Sequence, residues 1–334
     1  MKKITLESIA QELGTTRNTV SKALRGMPGV GEELRGRVIG LAEEYGYKRK
    51  GRQPEQELTQ VTIITNDRLM DDRFFWPTVL SGIFEYATQY HVGIRTVIVD
   101  MLRDDMQYFP PLQEKYCDGI LVIGTIPDAL FMRVARLGIP IVAMDHYSAR
   151  VECDYVNVAN QDGARKAMEF LAGHGHRKIG FINHMSAPYT HSFTQRYQGY
   201  CSEMEKRGLP IEPHFIWPDS RYEDNQYYRD QLDMLAAYGD APTAWMCAND
   251  LTAYNFCAVL AERGLRVPHD VSVVGFDNVK DFFQSELTTL EIPQKAMGRR
   301  ALQRLMYRLR HPDEPYESIE IFTRLIDRGS VRAL

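Results

Sequence analysis

The sequence predicts a small all-α head of the helix-turn-helix kind, joined to an α/β body of two doubly wound parallel-sheet subdomains. Three observations point there. Residues 5–26, "TLESIAQELGTTRNTVSKALRG", place two short amphipathic runs around a single glycine. From Val61 onward, short aliphatic runs ("VTIIT", "IRTVIV", "GILVIG", "IPIVAM", "KIGFIN", "TAWMCA", "VSVVGF") alternate with amphipathic stretches, the pattern of parallel strands covered by helices on both faces. Charge divides at the same place. Residues 1–53 hold 11 Lys and Arg against 6 Asp and Glu, a net of +5, so in a chain of net −4 the remainder carries −9. At 334 residues the chain exceeds one compact core, which favours several domains.

In the head, Thr5 is placed to N-cap a helix reaching Leu13, with Ile9 and Leu13 on one face. Gly14 supplies the turn. Thr16 then caps a second helix from Arg17 to about Leu24, with Val20 and Leu24 inward. A third helix follows from Glu32 to Tyr45, with Leu34, Val38, Leu41 and Tyr45 on one stripe and Gly46 to end it. The outward residues of the second helix are Arg17, Asn18, Ser21, Lys22 and Arg25. Short polar side chains and cations on such a helix suit the major groove of DNA, where Asn pairs with adenine and Arg with guanine. Thr5, Thr16, Thr19 and Ser21 are placed to donate to phosphates. A solvated polar face is the alternative reading.

With "RVIGLAEEYGY" following it, the head resembles that of the LacI/GalR (lac repressor) family of bacterial regulators. The resemblance continues through "FFWPTVLSGIFEYA", "YCDGILVIG", "IPIVAMD", "DGARKAMEFLAGHGHRKIGFI", "RYQGY", "CANDLTA" and "VSVVGFDN", in the family's order. It implies a periplasmic-binding-protein-like body and a ligand-responsive, sequence-specific repressor. Such a protein binds a double-stranded, near-palindromic operator as a homodimer. One region departs from the family. In place of its Pro-Asn and Ala-Arg-x-Leu hinge helix stands "KRKGRQPEQELTQ", where Gly51 and Pro54 disfavour a regular helix. Lys48, Arg49, Lys50 and Arg52 there suit phosphates or a narrow minor groove, with a flexible charged linker as the alternative.

These readings divide the chain into a head over 1–47, a basic linker over 48–60, a first subdomain over 61–158 plus about 287–315, and a second over 159–286 plus about 316–330. Ligands of parallel sheets collect outside the carboxyl ends of the strands. "IVAMD" ends in Asp145, "WMCAND" in Asn249 and Asp250, and "VVGFDN" in Asp277 and Asn278. Arg196 opens a helix after "IGFINH", and Phe75 and Trp76 follow the first strand. Carboxylates, an amide, a guanidinium and flat rings fit a carbohydrate, and a nucleobase second. The resemblance likewise puts effector contacts at Phe75 or Trp76, Asp145, Arg196, Asn249 and Asp277. Capping of the next helix is the alternative for Asp250 and Asn278, and core packing for Trp76.

Catalysis finds no support. No phosphate-binding G-x-x-x-x-G-K-[ST] loop, G-x-G-x-x-G after the first strand, or G-x-S-x-G is present. His174 and His176 favour a helix end over a metal pair, and His184 and His191 lack companions at ligand spacing. Five scattered cysteines, without C-x-x-C, predict reduced thiols. No cofactor or metal is expected. No apolar run reaches a membrane span, and the start, "MKKITLESIAQ", has no signal-peptide apolar region. The expectation is a cytoplasmic regulator, with a solute-binding protein or a sugar enzyme as competing classes.

Overall fold

The computed structural model describes residues 5–24, 30–45, 58–67, 69, 72–99, 117–183, 191–218, 225–279 and 286–334, except the side chains of 18, 21, 24 and 43. It divides into two units, 1–56 and 57–334.

The head consists of α1 (Leu6–Glu12), α2 (Arg17–Leu24) and α3 (Glu32–Glu44). Thr5 caps α1 in a reciprocal box: its hydroxyl accepts from Ser8 N–H at 3.2 Å, and the Ser8 hydroxyl accepts from Thr5 N–H at 2.8 Å. Gly14 adopts φ +61° in the turn, and the Thr16 hydroxyl accepts from Thr19 N–H at 3.1 Å to cap α2. Ile9, Ala10, Val20, Ala23, Val38 and Ala42 form the core. Tyr45 lies off the expected inner stripe. It is exposed, and its hydroxyl donates to Glu12, because a phenol beyond the last turn reaches a carboxylate more readily than a core six residues deep. Leu24's side chain and Gly46 lie outside the described residues.

The body opens with β1 (Gln60–Asn66), α4 (Trp76–Gln89), β2 (Gly93–Val99), β3 (Gly119–Ile123), α5 (Asp128–Ala135), β4 (Ile141–Met144) and β5 (Asp154–Val158). The second half holds α6 (Asn160–Gly173), β6 (Ile179–Ile182), α7 (His191–Lys206), β7 (Ile216–Trp217), α8 (Asn225–Tyr238), β8 (Ala244–Cys247), α9 (Asp250–Glu262) and β9 (Ser272–Val274). Then come β10 (Thr289–Glu291), α10 (Gln294–Arg310), β11 (Ser318–Ile321) and β12 (Arg324–Ile326). Two parallel sheets result, ordered β11-β5-β4-β3-β1-β2 and β7-β6-β8-β9, with an antiparallel ribbon β10-β12. The central strands of both sheets are apolar on both faces, as buried strands require: every residue of β3, β4, β6 and β8 is buried, while the edge strands β2 and β11 are partly exposed.

Helix α10 returns to the first sheet as expected. It crosses α4 so closely that a Cβ on Gly82 would stand within 2.2 Å of the Lys295 carbonyl oxygen. It is fastened by a buried ion pair: Asp154, at the start of β5, accepts from Arg304 at 2.8 Å and from Arg308 at 2.7 Å. The C-terminal boundary needs correction. The sequence pattern places residues from about 316 to 330 in the second subdomain, yet β11 pairs with β5 at the edge of the first sheet, Ile319 opposite Val156. From Thr323, whose carbonyl accepts from Lys166 on α6 at 2.7 Å, the chain rejoins the second half and reaches Ser330, whose carbonyl accepts from Val273 N–H. An alternating pattern such as "SIEI", exposed then half-buried, belongs on an edge strand, and the free edge is at β5.

Candidate functional site

Strand ends of both halves converge on the first turns of α7, around Ser192 and Arg196. Asp145 stands directly after β4, Asn249 and Asp250 after β8, and Asp277 and Asn278 after β9. Asp145, Asp277 and Asn278 have φ of +48°, +113° and +55°. Three non-glycine residues held in the left-handed region at strand ends mark where packing overrides local preference, as binding sites do.

Arg196 is the centre of the cleft. Fully buried on α7, it donates from Nε to Asn160 Oδ1 at 2.9 Å and from Nη1 to the Ala248 carbonyl at 2.6 Å. Its guanidinium carbon lies 3.8 Å from the centroid of the Phe276 ring, a cation–π contact. Nη1 also lies 3.1 Å from Asp277 Oδ1, close enough for charge attraction, though without the alignment of a hydrogen bond. Burial pushes the Asp277 carboxyl up to about 8, with Arg196 opposing and the charges of Asp250 and Asp72 reinforcing the rise.

Asp145 links the two halves. Its Oδ1 accepts from Ser192 N–H, in the first turn of α7, at 3.2 Å. Burial raises its pKa, while His191 and Arg196 oppose the rise. Beside it the Tyr147 and His191 rings stack at 5.9 Å. Asn249 caps α9, accepting from Thr252 N–H at 2.9 Å. Asp250 is not a cap: Oδ1 accepts from the Thr289 hydroxyl at 2.5 Å and Oδ2 from Val279 N–H at 2.9 Å, and burial raises its pKa to about 6. Asn278 similarly joins Glu291 and Arg328. These two residues therefore secure the crossover ribbon.

At the entry to α4, Asp72 Oδ1 accepts from the N–H groups of Phe74 and Phe75 at 2.7 and 3.0 Å. Phe75 is half-buried, whereas Trp76 is only 8% exposed and packs in the main core. Trp76 is thus a packing residue, held by the apolar face of α4, and Phe75 is the ring left at the rim. Asp72, Asn160, Ser192, Phe193 and Phe276 were not anticipated. Asp72 and Asn160 each had a signal, an Asp three residues before the Phe75 cap of a helix and an Asn two residues past a strand. Alongside the cleft, a groove of about 570 Å³ is lined by Tyr147, Asn157, Asn160, His191, Gln195 and Glu320, among others.

The head's surface is described in part. Arg17 is exposed and pairs with Glu7 at 2.9 Å, Thr5 and Thr16 are exposed, and Thr19 and Lys22 are half-buried. The Thr16 and Thr19 hydroxyls lie 2.9 Å apart. Asn18 and Ser21 fall on α2, but their side chains lie outside the described residues, as do Arg25, Lys48, Arg49, Lys50 and Arg52 altogether.

His174 Nδ1 lies 2.9 Å from the Phe170 carbonyl at the end of α6, and His176 bridges the Thr243 hydroxyl and the Arg332 carbonyl. Both are structural. His184 lies outside the described residues. Among the described residues no cluster of three metal-ligating side chains occurs and no helix is long and apolar enough to cross a membrane.

Residues 168–331 match the family model of a periplasmic binding protein-like domain. Along 99% of both chains, the sequence is 26% identical to the HTH-type transcriptional repressor PurR of Mannheimia succiniciproducens. The same coverage and identity hold for the ribose operon repressor of Haemophilus influenzae. Two solved structures share the fold. The transcriptional regulator CelR–cellobiose complex aligns with a TM-score of 0.71 at 23% identity, covering 98% of this chain and 100% of that one. The lac repressor dimer bound to operator and the anti-inducer ONPF aligns with a TM-score of 0.70 at 20% identity, covering 99% and 100%.

Proposed function

We propose that this chain, which belongs to the LacI/GalR family of transcription regulators, represses its target genes by binding a near-palindromic operator as a homodimer, under control of a small molecule held in the cleft. The observation that carries the reading is the pairing, in one chain similar to named repressors over 99% of its length, of a helix-turn-helix head with a two-sided polar cleft. The boundaries proposed are a head over 1–47, a linker over 48–60, and two effector-binding halves, the first extended by β11.

On this reading, Arg17, Asn18, Ser21, Lys22 and Arg25 face the major groove, and Thr5, Thr16 and Thr19 meet phosphates. Lys48, Arg49, Lys50 and Arg52 follow the backbone or enter an A·T-rich minor groove. Phe75, Asp145, Arg196, Asn249 and Asp277 contact the effector, which is a sugar. A nucleobase is the second reading, favoured by the half-buried rings of Phe75 and Phe193. Exposed Ile98 on β2, with Phe84 on neighbouring α4 and Tyr90 at that helix's C-cap, supports a dimer through that edge. The protein works in the cytoplasm. Effector coupling of roughly 1–3 kcal/mol suffices to switch occupancy.

The test is operator selection with the full-length protein, followed by gel shifts across a panel of sugars and nucleobases. A compound that raises the melting temperature and alters operator binding is expected. A compound that is turned over, or that binds without affecting DNA, contradicts the reading.

A further inference from the structure

Helix α10 differs in charge from the acidic body around it. Its 17 residues include Lys295, Arg299, Arg300, Arg304, Arg308 and Arg310 and no Asp or Glu, whereas the chain beyond residue 53 carries a net −9. Part of this positive charge is structural. Lys295 pairs with Glu85 at 2.7 Å, and Arg304 and Arg308 converge on Asp154. Arg300 and Arg310 are exposed, and neither forms an ion pair or hydrogen bond with another described residue.

A groove of about 590 Å³ runs between α10 and the C-terminal half of α4. Arg300, Gln303, Tyr307 and Arg310 form one stripe of α10, spaced as neighbours on one helix face. Tyr86 and the C-cap Tyr90 face that stripe from α4, their rings 4.6 Å apart. Tyr90 and Tyr307 are 44% and 40% exposed. Arg304, one turn on from Arg300, is buried in the wall of the groove, its guanidinium carbon 5.0 Å from the Tyr307 centroid. It pairs with Asp154 and with Glu317, each at 2.8 Å, yet its Nε meets no acceptor among the described residues. Three guanidiniums thus line the groove against the one carboxylate of Glu317. The place is separate from the strand-end cleft, since Tyr90 lies about 22 Å along the helix from Phe75.

An anion supplies what this arrangement lacks. Guanidiniums take phosphate oxygens in paired, charge-assisted hydrogen bonds. A phosphate monoester brings close to two charges where a carboxylate brings one. The phenol rings between the two ends of the stripe offer flat faces to another ring. The volume of the groove suits a small molecule. The body's net charge opposes an anion at a distance, but within a Debye length of about 8 Å the nearest guanidiniums prevail.

We propose that the groove between α4 and α10 is a second ligand site, for a small phosphate monoester carrying a planar ring, of the mononucleotide class. Arg300, beside Arg304, takes the phosphate, Tyr86, Tyr90 and Tyr307 cover the ring, and Arg310 closes the far end.

The test is titration calorimetry on the full-length protein with AMP, GMP, CMP and UMP, each beside its nucleoside, and with D-ribose 5-phosphate as the phosphate lacking a base. At least one mononucleotide is expected to bind about tenfold or more tighter than its nucleoside, and about fivefold or more tighter than ribose 5-phosphate. Arg300→Gln should weaken it about tenfold or more, and Tyr90→Ala about fivefold or more, in proteins whose melting transitions match the native one. Absence of binding by all four mononucleotides overturns the inference, as does equal affinity for the nucleoside or for ribose 5-phosphate. A mononucleotide whose affinity is unchanged in both variants sits elsewhere, in the cleft or on the head, and overturns it too. Binding of oligoglutamate that is lost in Arg300→Gln, where no mononucleotide binds, overturns it in favour of an acidic protein partner. Operator selection is read separately, so the regulator reading stands or falls on its own.

Discussion

Arg196 holds Asn160, the Ala248 carbonyl and the Phe276 ring in one arrangement, so its loss acts on stability and sensing together. Arg196→Ala is expected to lower stability by about 3 kcal/mol, the scale for removing one partner from a buried charged network. It should also abolish the effector response while leaving effector-free operator affinity nearly intact. Chemical denaturation and gel shifts read the two effects, and an unchanged dose response would remove Arg196 from the pocket. Asp277 sets a pH dependence. With its pKa raised to about 8 by burial, the folded state prefers the neutral carboxyl. Its stabilising contribution is fully present below about pH 4 and is lost as pH rises through about 8. The native protein should therefore lose more melting temperature than Asp277→Asn between about pH 6 and 9; parallel profiles would contradict this. In the head, Asn18→Ala should relax preference at one base position, whereas Lys22→Ala should weaken all sequences alike and reduce the salt slope by about 1. Binding assays on operator variants distinguish the two. The strand-end residues Asp145, Asn249 and Asp277 could be read directly, because an aliphatic run that stops at a polar residue announces its own rim. Asn160 and Ser192 could not, because their roles arise from contacts 36 and 47 residues away along the chain.

The two capped helices of the head follow from local chemistry, since Thr5, Gly14 and Thr16 act within four residues of their partners. Seven strands, β1 to β4, β6, β8 and β9, were legible as aliphatic runs, whereas β5 ("DYVNV") and β7 ("IW") were not, being interrupted by polar residues or too short. The path of the final crossover was not legible either: "SIEI" carries an edge-strand pattern but no statement of which edge, and β5 rather than the second sheet receives it. Close contact of α4 with α10 was also invisible, though Gly82 and Gly298 create it. A Cβ on Gly298 would meet the Val79 carbonyl oxygen at 2.1 Å. Gly82→Ala and Gly298→Ala should each cost about 1–3 kcal/mol, the usual range for overpacking, by forcing the helices apart. Thermal melts of the full-length protein check this. A neutral substitution at both positions would mean that the helices do not pack so closely.

At the scale of the whole molecule, a basic head and an acidic body share one chain, with +5 over residues 1–53 and −9 over the rest. That separation steers one end toward phosphate while the other repels it. Charge thus assigns different partners to the two units, and the effector has to change how strongly the head is held to DNA. The most direct measurement is equilibrium binding of the intact protein to its selected operator against random duplex at physiological salt, with and without a cleft ligand. A preference of roughly a thousandfold or more, altered about 5- to 150-fold by that ligand, is the expected result. Equal affinity for operator and random duplex, whatever small molecule is present, would contradict it.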